Sequence, residues 1–247
     1  MNQEHPVLGV DIGGSSIKFC LLHDGQILAN ATKKYESGTS LSDVERMISE
    51  IVNDWEFEGN IGIGFPGLID ENTIIDAPNL GHDWEGCDLV AQVRGWSSEK
   101  VKIINDADAA ALAMAKQTPD WNHENILCLT LGTGIGSAWL RKGELGPGTE
   151  YGRIIHPELN CSLEQWASVR TMNEEHLSIE TWAERLTSIL DYLLKTFNPD
   201  RFILSGGITN SPERWIDIVQ TQVAVPVSIS KYGDLTGAVG AARLHTV

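Results

Sequence analysis

Apolar residues recur with two periods along the chain, and the switches between them mark its elements. The run Val7, Leu8, Gly9, Val10 reads as a strand entering the polar stretch Asp11, Ile12, Gly13, Gly14, Ser15, Ser16. A second apolar run over 17–22 follows, which predicts a hairpin around a glycine and serine turn. His23 to Gln26 makes the next turn, and 27–32 a third strand. From Ser40 to Trp55 the period becomes helical, with Leu41, Val44, Met47, Ile48, Ile51, Val52 and Trp55 on one face. Ser40 and a Ser42/Glu45 capping box are equally good starts for it. Gly62, Gly64 and Gly67 have dinucleotide-fingerprint spacing, but Pro66 and residues 68–75 read as a turn and hairpin where that fingerprint needs a helix. These glycines are read instead as close approaches of a strand end to a ligand or another backbone. A polar loop over 77–84 and a short helix over 87–93 follow.

The strand from Val101 to Ile104 ends in Asn105, Asp106 and Asp108, and the strong helix formers of 109–116 come next. An amide and two carboxylates thus stand where a strand passes into a helix. On this segment alone, capping of the free N–H groups explains both aspartates. Residues 126–140 then repeat the N-terminal design, with an apolar strand, the turn Gly132, Thr133, Gly134, Ile135, Gly136, and a returning strand. The hairpins close with Asp24–Gly25 and Lys142–Gly143, and the similarity predicts two lobes of common architecture. Glu150 and Arg153 lie in a glycine-rich polar stretch over 144–156, and Glu164 on a helix beginning over 162–168. The longest helix runs from Leu177 to Phe197, with Ser178 as cap and Pro199 just beyond. A strand over 201–205 ends in Gly206 and Gly207, Pro212 opens another helix, 225–229 is the last strand, and a small-residue helix spans 236–245.

A chain of 247 residues can bury a sizeable core. Its 34 acidic and 18 basic residues give a net charge of -16, which excludes nucleic acid and anionic membranes as natural partners and leaves a small ligand. The first residues lack secretory-signal character and no apolar run is long enough to cross a bilayer, so the expected location is cytoplasmic. Cys20, Cys87, Cys128 and Cys161 are scattered and read as reduced, mostly buried thiols.

Consecutive backbone N–H groups in a glycine turn can hold phosphate, and this chain has two such turns; taken singly each is better explained as a plain tight hairpin, and together with Asp106 they say more. Asp11, at the mouth of the first, would repel phosphates unless a cation intervened; magnesium held through water resolves the conflict, and a turn-forming aspartate is the alternative. A sugar hydroxyl is a poor nucleophile, and a carboxylate such as Asp106 that takes its proton is typically worth roughly 10²–10⁴ in rate. Asn105, Glu150 and Glu164 are able to read neighbouring hydroxyls, although without further context surface solvation is the better explanation of both glutamates.

Taken in order, Asp11-Ile12-Gly13-Gly14-Ser15 with Lys18, Gly64-Phe65-Pro66-Gly67, Pro78-Asn79-Leu80, Asn105-Asp106-Ala107, Leu131-Gly132-Thr133-Gly134-Ile135-Gly136 and Ser205-Gly206-Gly207 resemble the ROK family of sugar kinases. The stretches 149–152, 177–186 and 198–200 look most like its polyphosphate glucokinase branch. The resemblance implies an α/β, two-lobed actin-like ATPase (ribonuclease H-like) fold with an interlobe cleft. It implies one lobe of 1–113 with 236–247 and a second of 114–235, and a homodimer. It further implies a magnesium-dependent hexokinase, glucose being the first candidate acceptor and ATP or polyphosphate the donor. Asp106 would be the base; Asn79, Asn105, Asp106, Glu150, Arg153 and Glu164 would contact the sugar. Asp11, Gly13, Gly14, Ser15, Lys18, Gly132, Thr133, Gly134, Gly206 and Gly207 would serve donor phosphates, with Asp11 on the magnesium.

Three points qualify that picture. Where the family has Glu-x-Gly-His, this chain reads Glu150-Tyr151-Gly152-Arg153, replacing a sugar-contacting histidine by a larger, permanently charged group. Either Arg153 points away, or it alters the sugar accepted, or the protein is a non-catalytic sugar-binding regulator. No zinc is expected, because Cys161 stands alone where relatives carry a zinc cluster. Finally, Lys18, Lys33, Lys34, Arg141 and Lys142 are only loosely grouped in an acidic chain, which favours ATP and leaves polyphosphate open.

Overall fold

The computed structural model describes residues 5–36, 38–77, 80–93, 100–115, 117, 121–146 and 148–245. The chain divides into two compact units, Met1–Ala113 with Gly237–Val247, and Met114–Thr236.

In the first unit the N-terminal hairpin forms as its pattern predicts, from β1 (Val7–Ile12) and β2 (Ser16–His23), and β3 (Gln26–Lys34) extends beyond the expected strand at both ends. With β4 (Ile61–Phe65) and β7 (Val101–Asn105) they make a sheet of order β3-β2-β1-β4-β7. The hairpin strands are antiparallel, whereas β1, β4 and β7 run parallel. The small hairpin of β5 (Leu68–Asp70) and β6 (Thr73–Asp76) stands where a nucleotide fingerprint would have required a helix.

Helix α1 (Leu41–Asp54) is started by Ser40, whose hydroxyl accepts the Asp43 N–H, and buries Val44, Ile48, Ile51 and Val52 against one face of the sheet core. Each such aliphatic side chain contributes roughly 1.5–3 kcal/mol when fully buried. The short α2 (Leu89–Val93) begins two residues later than the pattern suggested, because Asp88 joins a bridge to Thr73 and caps the Ala91 N–H. Helix α3 (Asp106–Ala115) follows β7 directly.

In the second unit, β8 (Asn125–Leu131), β9 (Ile135–Arg141), β10 (Glu144–Leu145), β11 (Arg201–Ser205) and β12 (Val227–Ile229) repeat the same plan in the order β10-β9-β8-β11-β12. The β10/β9 and β9/β8 pairs are again antiparallel and β8, β11 and β12 parallel, the architectural echo that the two glycine turns foreshadow. Helices α4 (Leu163–Ala167) and α5 (Val169–Glu174) are separated by Ser168, which ends one and caps the other. The long α6 (Ile179–Phe197), capped by Ser178, buries Trp182, Leu186, Ile189, Leu190 and Leu193. Pro212 opens only a short 3₁₀ turn; buried Trp215 then separates it from α7 (Ile216–Gln222).

The last helix, α8 (Thr236–Ala242), ends three residues before the expected point and tightens into a 3₁₀ turn over Arg243–His245. There the Arg243 guanidinium donates to the Leu112 and Ala113 carbonyls at the end of α3, at 3.3 and 2.7 Å. Its small residues let it lie on the β1/β4 surface: a Cβ on Gly9 or Gly62 would overlap the carbonyls of Ala238 or Ala241, and one on Gly240 the carbonyl of Ala109. Among the described residues no helix is long and apolar enough to cross a membrane.

Candidate active site

In each unit the candidate residues gather at the carboxyl ends of parallel strands, where open α/β sheets bind ligands. In the first unit β1 ends at Asp11 and Ile12, β4 at Gly64 and Phe65, and β7 at Asn105, with Asp11 beside Gly64 and Phe65 beside Asn105 in register. Asp106 is the next residue and the first of α3, half-buried. Asn79 lies outside the described residues.

Asn105 caps the helix start, sharing the Ala107 N–H with Asp106 and taking that of Asp108 alone. Its side-chain oxygen accepts the N–H groups of Ala107 and Asp108 at 2.9 and 3.3 Å. Its amide nitrogen donates to the Gly67 carbonyl at 3.2 Å, tying β7 to the end of the β4 turn. One amide hydrogen is left for a ligand, since the side chain has two. Asp106 accepts the Ala107 N–H at 2.8 Å. The sequence alone gives no way to divide these duties, because Asn, Asp and Asp are all good caps.

The first glycine turn is closed by the Gly13 N–H donating to the Ser16 carbonyl at 2.9 Å. Tyr35 braces it from outside, its N–H on the Ser15 carbonyl at 3.0 Å and its hydroxyl on that of Gly13. Burial raises the Tyr35 phenol well above its usual range, and the Asp11 carboxylate adds to the effect, so the hydroxyl stays a donor. The Gly14 and Ser15 N–H groups have no partner among the described residues. Asp11 points its carboxylate toward Lys18, Oδ2 to Nζ 3.9 Å, and against Gly237 at the start of α8.

The second turn has the same character. Gly132 donates to the Gly134 carbonyl at 3.1 Å, and its own carbonyl accepts the Val169 and Arg170 N–H groups that open α5. The Thr133 and Gly134 N–H groups are left without a partner among the described residues. Beside it, β11 is followed by Gly206, whose φ of 106° and closeness to the Leu131 carbonyl admit only glycine. Gly207 then begins a 3₁₀ turn.

Glu150, Arg153 and Glu164 converge around the start of β9. Thr149 and Tyr151, on either side of Glu150, are both anchored on Ser137 of that strand. Glu164, set by a Ser162/Gln165 capping box, brings Oε2 to 3.4 Å from the Ile135 N–H and against Gly134, so it belongs to the glycine turn as much as to its own helix. Arg153 Nε lies 3.5 Å from Glu150 Oε2, both side chains about half exposed at 49%. The Arg153 guanidinium is thus spent partly on the neighbouring carboxylate.

Comparison with known proteins identifies the family and the fold. A profile of the ROK family matches residues 7–162. A polyphosphate glucokinase of Mycobacterium leprae is 34% identical over 98% of this chain and 75% of its own length. A second, from Mycobacterium tuberculosis, is 31% identical over 96% of this chain and 91% of its own. Among solved structures, the inorganic polyphosphate/ATP-glucomannokinase of Arthrobacter sp. strain KM superposes with a TM-score of 0.86 at 26% identity, covering 97% of each chain. The actin-like α/β fold implied by the sequence motifs is therefore the fold of this chain, and the chain belongs to the ROK family.

Proposed function

We propose that this protein is a sugar kinase that transfers a phosphoryl group from ATP or polyphosphate to a hexose hydroxyl, with glucose as the first acceptor to test. The observation that carries the reading is the division of labour at the end of β7: Asn105 caps α3, and Asp106 is set half-buried beside it, one strand from the end of β4. The acceptor oxygen bonds to phosphorus, its proton passes to the Asp106 carboxylate, and the bond from that phosphorus to the departing ADP or shortened polyphosphate breaks. Asn79, Asn105, Glu150 and Glu164 orient the sugar, and Arg153 adjusts the charge of Glu150. The N–H pairs of Gly14 and Ser15, and of Thr133 and Gly134, with Gly13, Gly132, Lys18, Gly206 and Gly207, serve the donor.

Magnesium fits this site through Asp11. No group of three or more His, Cys, Asp or Glu side chains able to hold a metal exists among the described residues. A single carboxylate beside a phosphate turn is nevertheless what a magnesium ion bound mainly by water and phosphate oxygens requires. When bound it would neutralise donor phosphate charge. We also assign the protein to a reducing, cytoplasmic setting, which suits its four unbridged cysteines, and to the homodimeric state that the family resemblance implies.

The test is a panel of hexoses against both donors with magnesium, using wild type and Asp106→Asn. At least one pair should turn over, and the variant should lose roughly 10²–10⁴ in kcat while keeping its affinity for the sugar. Sugar binding with no turnover for any pair would overturn the kinase reading in favour of a regulatory sugar binder.

A further inference from the structure

The basic residues that look scattered in the sequence are brought together by strand register. In the β2/β3 ladder Ser16 faces Lys34 and Lys18 faces Thr32, while in β1/β2 Lys18 faces Asp11. Directly opposed residues point to the same side of a sheet, as do residues two apart on one strand. Asp11, Ser16, Lys18, Thr32 and Lys34 therefore share one face, and Lys18 and Lys34 are diagonal neighbours, about 7–8 Å apart at Cα. Lys33 points to the other face and is held by Glu50, Nζ to Oε2 3.2 Å. Lys34 is exposed and makes no ion pair among the described residues. Asp11 partly compensates Lys18, so Lys34 is the uncompensated cation of the strip; the nearest acidic residue along the chain is Glu36, beyond the end of β3.

The strip is also fixed to the first glycine turn, because the residue after Lys34 is Tyr35, whose N–H and hydroxyl both bond to that turn. A phosphate held by the Gly14 and Ser15 N–H groups would have Lys18 on one side and Lys34 leading away along the edge strand. We propose that Lys34, with Thr32 and Lys18, forms an extension of the donor site that holds phosphates of a polyphosphate chain beyond the one transferred. This rests on the kinase reading for the location of the donor, not for the binding itself. It also answers the objection raised by the net charge: a linear polyanion needs a short run of unpaired cations at the turn, and the -16 charge is borne by the chain as a whole. A different role for an edge-strand lysine, to block pairing with another sheet, makes no demand on phosphate.

The experiment measures equilibrium binding of long-chain polyphosphate and of tripolyphosphate to wild type, Lys34→Ala and Lys34→Glu, alongside KM values for polyphosphate and ATP. Wild type should bind the long chain more tightly than tripolyphosphate. Lys34→Glu should weaken long-chain binding about five- to thirtyfold, with Lys34→Ala between, and raise the ratio of the polyphosphate KM to the ATP KM by a similar factor. Long-chain binding that is absent in wild type, or equal in wild type and Lys34→Glu, would overturn the extension even if ATP turnover is normal. Lys34-dependent binding without turnover from any donor would support the extension while overturning the kinase reading.

Discussion

Asp11 and Asp106 stand on either side of the Cβ that Gly64 lacks: built there, that atom would lie 3.6 Å from Asp11 Oδ1 and 3.6 Å from the Asp106 Cα. A glycine at the end of the middle parallel strand therefore leaves open the space between the proposed metal carboxylate and the proposed base. It also sits only 3.3 Å from the Ala109 Cβ, so the start of α3 leans on it.

Gly64→Val should fill that space and displace one carboxylate or the other. An ångström-scale misplacement costs on the order of 10² in rate, and overpacking a tight site about 1–3 kcal/mol in stability. Steady-state kinetics with thermal unfolding on the same sample will separate the two. A folded variant with kcat within threefold of wild type would show that the gap has no part in the chemistry.

The Glu150–Arg153 pair gives a second prediction. With both side chains about half exposed, the pair adds at most about 1 kcal/mol to stability, so Arg153→His and Arg153→Ala should leave the melting temperature nearly unchanged. Their sugar preference should shift, because either change removes the permanent positive charge beside Glu150, a proposed sugar ligand. Equal kcat/KM across a sugar panel for all three proteins would remove position 153 from specificity.

Thiol reactivity should divide the cysteines by burial. Burial pushes the Cys20 thiol up to about 12, and Cys128 is raised in the same way within β8, whereas Cys161 is partly exposed. At pH 8 only about one Cys20 in 10⁴ would be thiolate even with free access. Timed alkylation of native protein read by mass spectrometry should label Cys161 and leave Cys20 and Cys128 until the chain unfolds. Raising the pH to about 9.5 should not release them, and early labelling of Cys20 would contradict its place in the β-sheet core.

What was legible in the sequence follows the range over which each device acts. The Ser40 and Ser178 caps and the glycine turns are decided within a few residues, and they stand where the pattern puts them. The helical run near Pro212 shows the limit: a buried tryptophan took Trp215 out of the helix, a tertiary demand that local propensity does not record. Within the site, Asp106 was visible by type and position, but the role of Asn105 depends on a bond to Gly67, thirty-eight positions away. The approach of Glu164 to Ile135 and the meeting of Lys18 with Lys34 are likewise products of register and packing, and spacing along the chain points away from both.

The docking of α8 has a further consequence for how the protein comes into being. The surface formed by Gly9 and Gly62 is synthesised long before the helix that fills it, which ends at Ala242. Every residue of the unit spanning Met114–Thr236 will have been synthesised before the first unit has its final helix. Until that helix is made, the first unit presents a bare trough lined by Gly9 and Gly62.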